Sequence, residues 1–426
     1  MKRITQVCGG LVLLAAALAA TVVGLNLRGE ESLSAAPPPL PSTPELVARG
    51  EYLARAGDCM ACHTVAGGAP YAGGRGIETP FGVVHAPNLT PDPATGLGRW
   101  TAAEFWRAMH NGRSKDGRLL YPAFPYPNYT QVTRADSDAI YAYLQSLPAV
   151  SQPNREHALR FPYDTQAALA VWRALFFAPG RAVSDPTRSE DWNRGAYLVN
   201  GLGHCAACHT PRNALGAPSE GRAFSGGLIP VQNWYAPALN AAAEAGVAAW
   251  PVEDVVALLR TGVAPHGGVS GPMAEVVFRS TQYLNDGDLR AMATYLRALP
   301  AQERAQPAVA KPSARALERG AKVYEQQCAQ CHGDAGQGEA GAFPALAGNR
   351  AVVMADPTNV VRIVLQGGYL PATAGNPRPH GMPPFMHVLG DEDIAAVSTF
   401  IRNAWGNQAA GVGTMEVYRA RERRGS

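Results

Sequence analysis

The chain has 426 residues, of which 46% are hydrophobic and 17% charged, and its formal net charge is +3. This length and composition predict about three globular domains, each with an apolar core. The basic residues are dispersed and no nucleic-acid-binding motif is present, which argues against a nucleic-acid-binding protein. Most of the information about function lies in the seven cysteines, because six of them follow one recurring pattern.

Residues 1–36 predict a signal peptide or an N-terminal transmembrane anchor. After a short basic start, residues 7–25 form an uncharged run rich in Leu, Val and Ala. The run is long for a signal peptide and close to the length that spans a bilayer. Small residues at 17–19 and at 34–36 offer cleavage positions, so both alternatives stay open. In either case the basic end stays in the cytoplasm and the rest of the chain is exported, beginning with a Pro-rich linker at 37–44.

Three copies of the pattern C-x-x-C-H follow along the chain. This pattern is the attachment signature of c-type haem, in which two thiols form thioether bonds and the histidine binds the iron. A thioredoxin-like site, a zinc site or a disulfide framework does not require a histidine after the second cysteine three times over. The sequence predicts three covalently attached haem c groups, bound by Cys59, Cys62, Cys205, Cys208, Cys328 and Cys331, with His63, His209 and His332 as the proximal iron ligands.

Each motif lies inside a longer repeated segment, which we call a repeat. A predicted helix with an Arg-Gly pair precedes each motif, and an amphipathic helix that begins near an aspartate closes each repeat. The glycines are Gly50, Gly195 and Gly320, the aspartates are Asp138, Asp288 and Asp393, and the closing helices carry Tyr143, Tyr295 and Phe400. The layout is similar to the class I cytochrome c fold, and this resemblance implies that each glycine lies opposite the aromatic residue of its own repeat.

This layout resembles the class I cytochrome c fold, in which the first and last helices cross at a glycine and an aromatic residue. The resemblance implies an all-α protein of three tandem class I cytochrome c domains at 45–150, 190–300 and 313–406. The intervening segments are a connector at 151–189, with a helix predicted over 165–177, and a linker at 301–312. A basic tail at 407–426 follows and is a candidate for contact with anionic lipid or a partner.

The loop before the closing helix of a repeat is the expected source of a second axial ligand to the iron. Methionine is the usual ligand in small cytochromes c. Met273 follows Gly-Pro in the second repeat, and Met382 belongs to a Gly-Met-Pro-Pro sequence in the third. We expect these two methionines to bind iron, with Met386 and His387 as alternatives in the third repeat.

The first repeat differs, because Phe124 stands where the other two have methionine. A phenylalanine side chain cannot bind iron. Three alternatives stay open for this haem: His110 as the sixth ligand, Met109 as the sixth ligand, or an open or otherwise filled position. His85 is a further candidate.

Several segments of the chain resemble the triheme cytochrome subunit of membrane-bound bacterial dehydrogenases, over residues 45–407. The resemblance is carried by the segments 116–126, 193–199, 203–213, 234–237 and 381–385. Such subunits serve quinoprotein (PQQ) alcohol dehydrogenases, FAD-dependent sugar dehydrogenases, and molybdenum hydroxylases that act on aldehydes or on N-heterocycles such as nicotinate and isoquinoline.

The segment with Phe124, followed by Asn128-Tyr129-Thr130, is more similar to the cytochrome subunits that serve molybdenum hydroxylases than to those that serve alcohol dehydrogenases. The resemblance therefore implies a molybdopterin large subunit and a small two-iron, two-sulfur subunit as partners. It also implies ubiquinone or a terminal oxidase as the electron acceptor, at the periplasmic face of the bacterial inner membrane.

The sequence contains no recognisable substrate-oxidising site. Rossmann and P-loop glycine motifs are absent, and the remaining histidines have no metal-ligand spacing. The predicted function is electron relay between a periplasmic dehydrogenase and the respiratory chain. An open iron in the first repeat would instead suit a haem peroxidase-type enzyme, and a free-standing electron shuttle or oxidase subunit is a third alternative.

Overall fold

The computed structural model describes residues 2–33, 40–265, 267–302 and 311–422, and it is largely helical. The chain divides into two compact units. The first unit contains most of the chain up to residue 184 together with residues 200–204. The second unit contains residues 55–61, 185–199 and 205–426, and therefore most of the second repeat and the whole of the third.

Eighteen α-helices lie in the described part of the chain. Those up to the connector are α1 (Lys2–Leu27), α2 (Pro44–Ala56), α3 (Cys59–Cys62), α4 (Ala102–Asn111), α5 (Tyr126–Tyr129), α6 (Arg134–Ser146) and α7 (Gln166–Phe176). The second repeat contains α8 (Glu190–Tyr197), α9 (Ala206–His209), α10 (Val252–Thr261), α11 (Pro272–Arg279) and α12 (Asp286–Arg297), with a π-helical turn at Leu198–Leu202 and a 3₁₀ turn at Thr281–Tyr283. The third contains α13 (Ala314–Gln327), α14 (Ala329–His332), α15 (Arg350–Val353), α16 (Thr358–Gln366) and α17 (Asp391–Ile401), and α18 (Thr414–Glu422) follows.

Short antiparallel strands accompany the helices, so the all-α prediction does not describe the whole chain. They are β1 (Gly76–Thr79), β2 (Gly82–His85), β3 (Ala158–Leu159), β4 (Gly227–Ile229), β5 (Trp234–Ala236), β6 (Val263–Ala264), β7 (Gly267–Gly268), β8 (Gly368–Tyr369) and β9 (Gly381–Met382). β1, β2 and β3 form one sheet, and the others form two-stranded pairs. Strands of two to four residues are too short to show an alternating pattern in the sequence.

The first and last helices of each repeat cross at a glycine. A Cβ atom at Gly50, Gly195 or Gly320 would overlap the backbone carbonyl of Ala139, Ala291 or Ala396, respectively. It would also approach the Cβ atom of the expected aromatic residue, Tyr143, Tyr295 or Phe400. Only glycine allows two helix backbones to come this close. The predicted pairing of glycine and aromatic residue is therefore confirmed in all three repeats.

The arginine before each glycine pairs with an aspartate of the closing helix. The Nε–Oδ1 distances are 3.0 Å for Arg49–Asp136, 2.7 Å for Arg194–Asp288 and 2.7 Å for Arg319–Asp393. In each repeat the aspartate lies three residues before the alanine that the glycine contacts. In the first repeat Asp138, named from the sequence as an aspartate near the start of the closing helix, does not make this pair. It pairs instead with Arg134 one helical turn away, at 2.8 Å, because Asp136 occupies the matching position.

Helix α1 is the one described helix long and apolar enough to cross a membrane, over Arg3–Leu27. A signal sequence has the same properties at this position. Four parts of the chain discussed from the sequence lie outside the described residues. They are the cleavage position at 34–36, residues 37–39 of the Pro-rich linker, residues 303–310 of the second linker and residues 423–426 of the basic tail. The helix predicted in the connector is confirmed as α7, which is capped by the Thr165 side chain.

Candidate haem sites

Each C-x-x-C-H motif forms a single helical turn. The amide of His209 donates a hydrogen bond to the carbonyl of Cys205 at 3.0 Å, and the amide of His332 donates to that of Cys328 at 2.9 Å. Residues three apart on such a turn lie on the same face, so the two thiols of a motif are directed to the same side. No disulfide joins any of the seven cysteines, all of which the structure describes.

Two of the motif cysteines, Cys205 and Cys328, are partly buried. Burial raises the pKa of Cys205 to about 12 and that of Cys328 to about 11. Both thiols are therefore protonated near neutral pH and have little reactivity of their own. A structural or haem-attached role fits these thiols better than a nucleophilic one.

Each predicted proximal histidine makes the same hydrogen bond with its Nδ1 atom. The acceptor is a proline carbonyl in all three repeats, at 2.8 Å for His63 and Pro87, 2.7 Å for His209 and Pro237, and 3.0 Å for His332 and Pro344. When Nδ1–H donates to the carbonyl, Nε2 has no proton and its lone pair is available to a metal. The hydrogen bond also fixes the plane of the ring.

The sequence analysis did not identify these proline carbonyls. Ala-Pro occurs at the acceptor position in the first two repeats, at Ala86-Pro87 and Ala236-Pro237, and this repetition was the available signal. Burial lowers the pKa of the three histidines below its usual value, and the proline carbonyls act in the opposite direction. The net effect favours the neutral imidazole, which is the form that binds iron.

A buried arginine in the third repeat has no counterion among the residues that the structure describes. Arg362 is 4% exposed, and its guanidinium lies over the ring of Trp234 from the second repeat, 4.9 Å from the centroid. Its Nη2 donates to the side-chain oxygen of Gln366 at 3.0 Å, whereas Nε and Nη1 have no hydrogen-bond partner among the described residues. Burial lowers the pKa of Arg362 below its usual value. A buried cation of this kind favours a nearby anion, and a haem propionate carboxylate would supply one.

Met382 lies at a fixed position beside the core of the third repeat. It belongs to β9, which pairs with β8, and its side chain packs against a cluster that includes Tyr324, Leu365 and Phe385. The predicted alternatives differ in environment: Met386 packs against the same cluster, and His387 is exposed. The expected ligand loop is therefore a strand pair at this point.

Met273 is half-buried at the second position of α11, so the expected loop is the start of a helix here. The preceding Gly271 has a φ of 55°, and a Cβ atom there would overlap the ring of Trp234. This close approach fixes the start of α11. The placement leaves Met273 as a predicted iron ligand.

The candidates in the first repeat have different surroundings. His110 and Met109 are both buried on α4. The His110 ring stacks on Trp106 at 4.4 Å, and its Nδ1 lies 3.4 Å from the Thr130 hydroxyl. These contacts are compatible with a packed histidine and with a ligand that binds through Nε2. His110, Met109 and an open position therefore all remain alternatives for the sixth ligand of the first haem.

The other two residues considered for the first haem are held by neighbouring side chains and backbone. Phe124 contacts the ring of Tyr129, with 5.3 Å between centroids. His85 lies on β2, and its Nδ1 is 2.8 Å from the carbonyl of Glu156. That hydrogen bond ties His85 to the connector. Like the bonds of the three predicted proximal histidines, it involves Nδ1 alone, so His85 stays a further candidate.

Comparison with known proteins identifies the family. The cytochrome c family model matches residues 47–148 and 317–405. The cytochrome c subunit of alcohol dehydrogenase (quinone) from Gluconobacter oxydans (strain 621H) is 40% identical over 86% of this chain and 80% of its own length. The chain belongs to the cytochrome c subunits of bacterial dehydrogenases. Cytochrome c domains are thus present in this subunit, and the second repeat lies outside the two matched regions.

Two further relatives are subunits of other dehydrogenases. The gluconate 2-dehydrogenase cytochrome c subunit of Pantoea cypripedii is 40% identical over 85% of this subunit and 86% of its own length. A nicotinate dehydrogenase subunit of Pseudomonas putida is 42% identical over 84% of this subunit, but the match covers 30% of that longer protein. Because these identities are nearly equal, they support a dehydrogenase partner without selecting its class.

Proposed function

We propose that this subunit relays electrons through three covalently bound haem c groups from a catalytic dehydrogenase to ubiquinone or the respiratory chain. The observation that carries the proposal is the threefold recurrence of one arrangement: a C-x-x-C-H turn whose histidine binds a proline carbonyl through Nδ1. It occurs in the second repeat as in the others, although that repeat lies outside the regions matched by the family model. The three tandem domains follow from the same recurrence.

The residues have distinct roles in this proposal. Cysteines 59, 62, 205, 208, 328 and 331 form the thioether links, and His63, His209 and His332 bind the irons from the proximal side. Met273 and Met382 are the proposed second ligands of the second and third haems. Each haem supplies a one-electron redox centre when bound, and the chain controls its potential through the axial ligand, burial and hydrogen bonding.

For the catalytic partner, we propose a molybdopterin large subunit with a small two-iron, two-sulfur subunit. The support is Phe124, followed by Asn128-Tyr129-Thr130, together with the similarity to the nicotinate dehydrogenase subunit. The alternative is a PQQ- or FAD-dependent alcohol or sugar dehydrogenase, which the alcohol and gluconate relatives support.

The subunit is proposed to remain anchored by α1 at the periplasmic face of the inner membrane. The residues that follow the apolar run are part of the first compact unit. Arg28 donates to the carbonyl of Phe177 at 2.9 Å, and the Glu30 carboxylate lies 2.9 Å from the guanidinium of Arg113. Cleavage at 34–36 would remove both contacts, whereas retention of α1 preserves them.

Purification of the subunit from its native membrane tests the haem count and the partner together. Three haems per chain are expected from a pyridine haemochrome assay, and two from the Cys205→Ala/Cys208→Ala variant. Molybdopterin in the co-purifying complex would support a molybdopterin enzyme as the partner. PQQ or flavin would instead support an alcohol or sugar dehydrogenase. A wild-type count of two haems would contradict the triheme proposal.

A further inference from the structure

Helix α7 has an inner face that packs and an outer face that does not. Leu169 and Arg173, one turn apart, are buried. Val171 and Leu175 point away from them and are 48% and 64% exposed. Ala167, one turn before Val171, is also exposed. The outer face therefore consists of apolar side chains alone.

Both polar residues of α7 are engaged with the protein. The side-chain amide of Gln166 exchanges hydrogen bonds with the backbone of Leu119, at 2.8 and 3.2 Å. Arg173 is 3% exposed, and its Nε donates to the side chain of Asn26 at 2.9 Å. A helix at a water-facing surface normally carries charged or polar residues on its outer side. The outer face of α7 has none, so water is a poor match for it.

The position of α7 indicates which apolar medium covers this face. It packs against the C-terminal end of α1, where the Asn26 side chain donates to the carbonyl of Ala170 at 2.9 Å. Val23 and Leu27 of α1 are 57% and 54% exposed. The exposed apolar surface of α1 therefore ends beside α7, in the same compact unit, at the level where a membrane-spanning helix emerges.

We propose that α7 is a membrane-surface helix whose outer face of Ala167, Val171 and Leu175 lies at the boundary between head groups and acyl chains of the bilayer that α1 spans. Helices with one apolar face bind at this depth. The aromatic pair Trp172 and Phe176, whose rings are 5.6 Å apart, flanks the face, and aromatic side chains are enriched at this level of a membrane. The inference rests on the anchoring role proposed for α1.

Photo-crosslinking to lipid tests the proposal. The full-length haem-containing subunit is reconstituted into phosphatidylethanolamine and phosphatidylglycerol vesicles that contain a phosphatidylcholine with a diazirine in its acyl chain. After illumination, mass spectrometry locates the modified residues. We expect crosslinks on α1 and on α7 and none on α2, and we expect the α7 crosslinks to fall at least fivefold in the Val171→Glu/Leu175→Glu variant. The control Ala48→Glu alters an exposed position of α2 and should change neither signal.

The outcomes that contradict the proposal are distinguishable. Crosslinks on α1 without any on α7 would overturn the docking of α7 and leave the anchor intact. If neither helix is modified, the anchoring role of α1 fails as well. The same crosslinking on the complex with dehydrogenase subunits gives a third outcome. Crosslinks from α7 to a dehydrogenase subunit, with none to lipid, would assign this face to a protein partner and overturn the proposal. The haem absorption spectrum of each variant is recorded as the control for retention of the fold.

Discussion

At the residue scale, one ring nitrogen of each proximal histidine is committed to a backbone carbonyl. This leaves Nε2 as the only nitrogen free of that contact, so the tautomer and the ring plane are set by the protein. The proposed second ligand is less uniform, because methionine is proposed in the second and third repeats and Phe124 stands at that position in the first. Substitution of the proposed methionines therefore separates haem chemistry from packing.

Replacement of Met382 by histidine should lower the potential of one haem. Histidine stabilises ferric iron more than methionine does, so the midpoint potential of the third haem should fall by well over 59 mV, the shift that corresponds to a tenfold change for one electron. A potentiometric titration followed by visible spectroscopy measures this. The matched control is Met386→Leu, in the same cluster. If the midpoint potential changed in Met386→Leu and not in Met382→His, Met386 would replace Met382 as the proposed second ligand.

Arg362 is the residue whose charge should act on a haem. If its guanidinium faces a propionate, Arg362→Gln removes a positive charge near the haem and lowers one midpoint potential, on the order of 30–60 mV. Arg362→Lys keeps the charge and should shift the potential less. A loss of stability in Arg362→Gln at an unchanged potential would show that the arginine serves packing alone.

At the element scale, the crossing of the first and last helices organises each repeat. The crossing was predictable because glycine, arginine and the aromatic residue recur at matched positions. The Arg–Asp pair was only partly predictable, since Asp136 and Asp138 lie on the same helix and the sequence does not show which one faces Arg49. The Nδ1 acceptors and the strand that holds Met382 were missed for a related reason. They depend on backbone carbonyls and two-residue pairings, which leave no side-chain pattern.

The crossing glycines should tolerate no side chain. In Gly195→Ala the new methyl group would overlap the carbonyl of Ala291, so the helices must separate, at a cost of about 1–3 kcal/mol in the free energy of unfolding. Urea denaturation followed by circular dichroism measures the loss. Gly375→Ala is the control, because a Cβ atom there meets nothing within 4 Å. Equal stability of the two variants would contradict a close crossing in the second repeat.

At the scale of the whole molecule, the segment after helix α1 is part of the first compact unit. Glu30 and Arg113 are each largely buried, with side chains 14% and 16% exposed, and Arg107 lies 3.8 Å from the same carboxylate. Glu31, the next residue, pairs with Arg181 at the surface, where the two side chains are 62% and 71% exposed. Glu30 therefore forms a buried ion pair and its neighbour Glu31 an exposed one, so substitutions at the two positions can be compared directly.

Glu30→Ala should destabilise the protein, whereas Glu31→Ala should not. Loss of the Glu30 carboxylate leaves Arg107 and Arg113 without their shared anion, and removal of one partner of a buried ion pair costs about 3–5 kcal/mol. An exposed pair contributes about 0–1 kcal/mol. The measurement is thermal unfolding of the detergent-solubilised subunit, with N-terminal sequencing to establish that α1 is present. Equal melting temperatures for the two variants would show that the Glu30 contacts do not stabilise the fold. A destabilised Glu30→Ala variant would instead mean that retention of α1 supports the fold of the first compact unit as well as its place at the membrane.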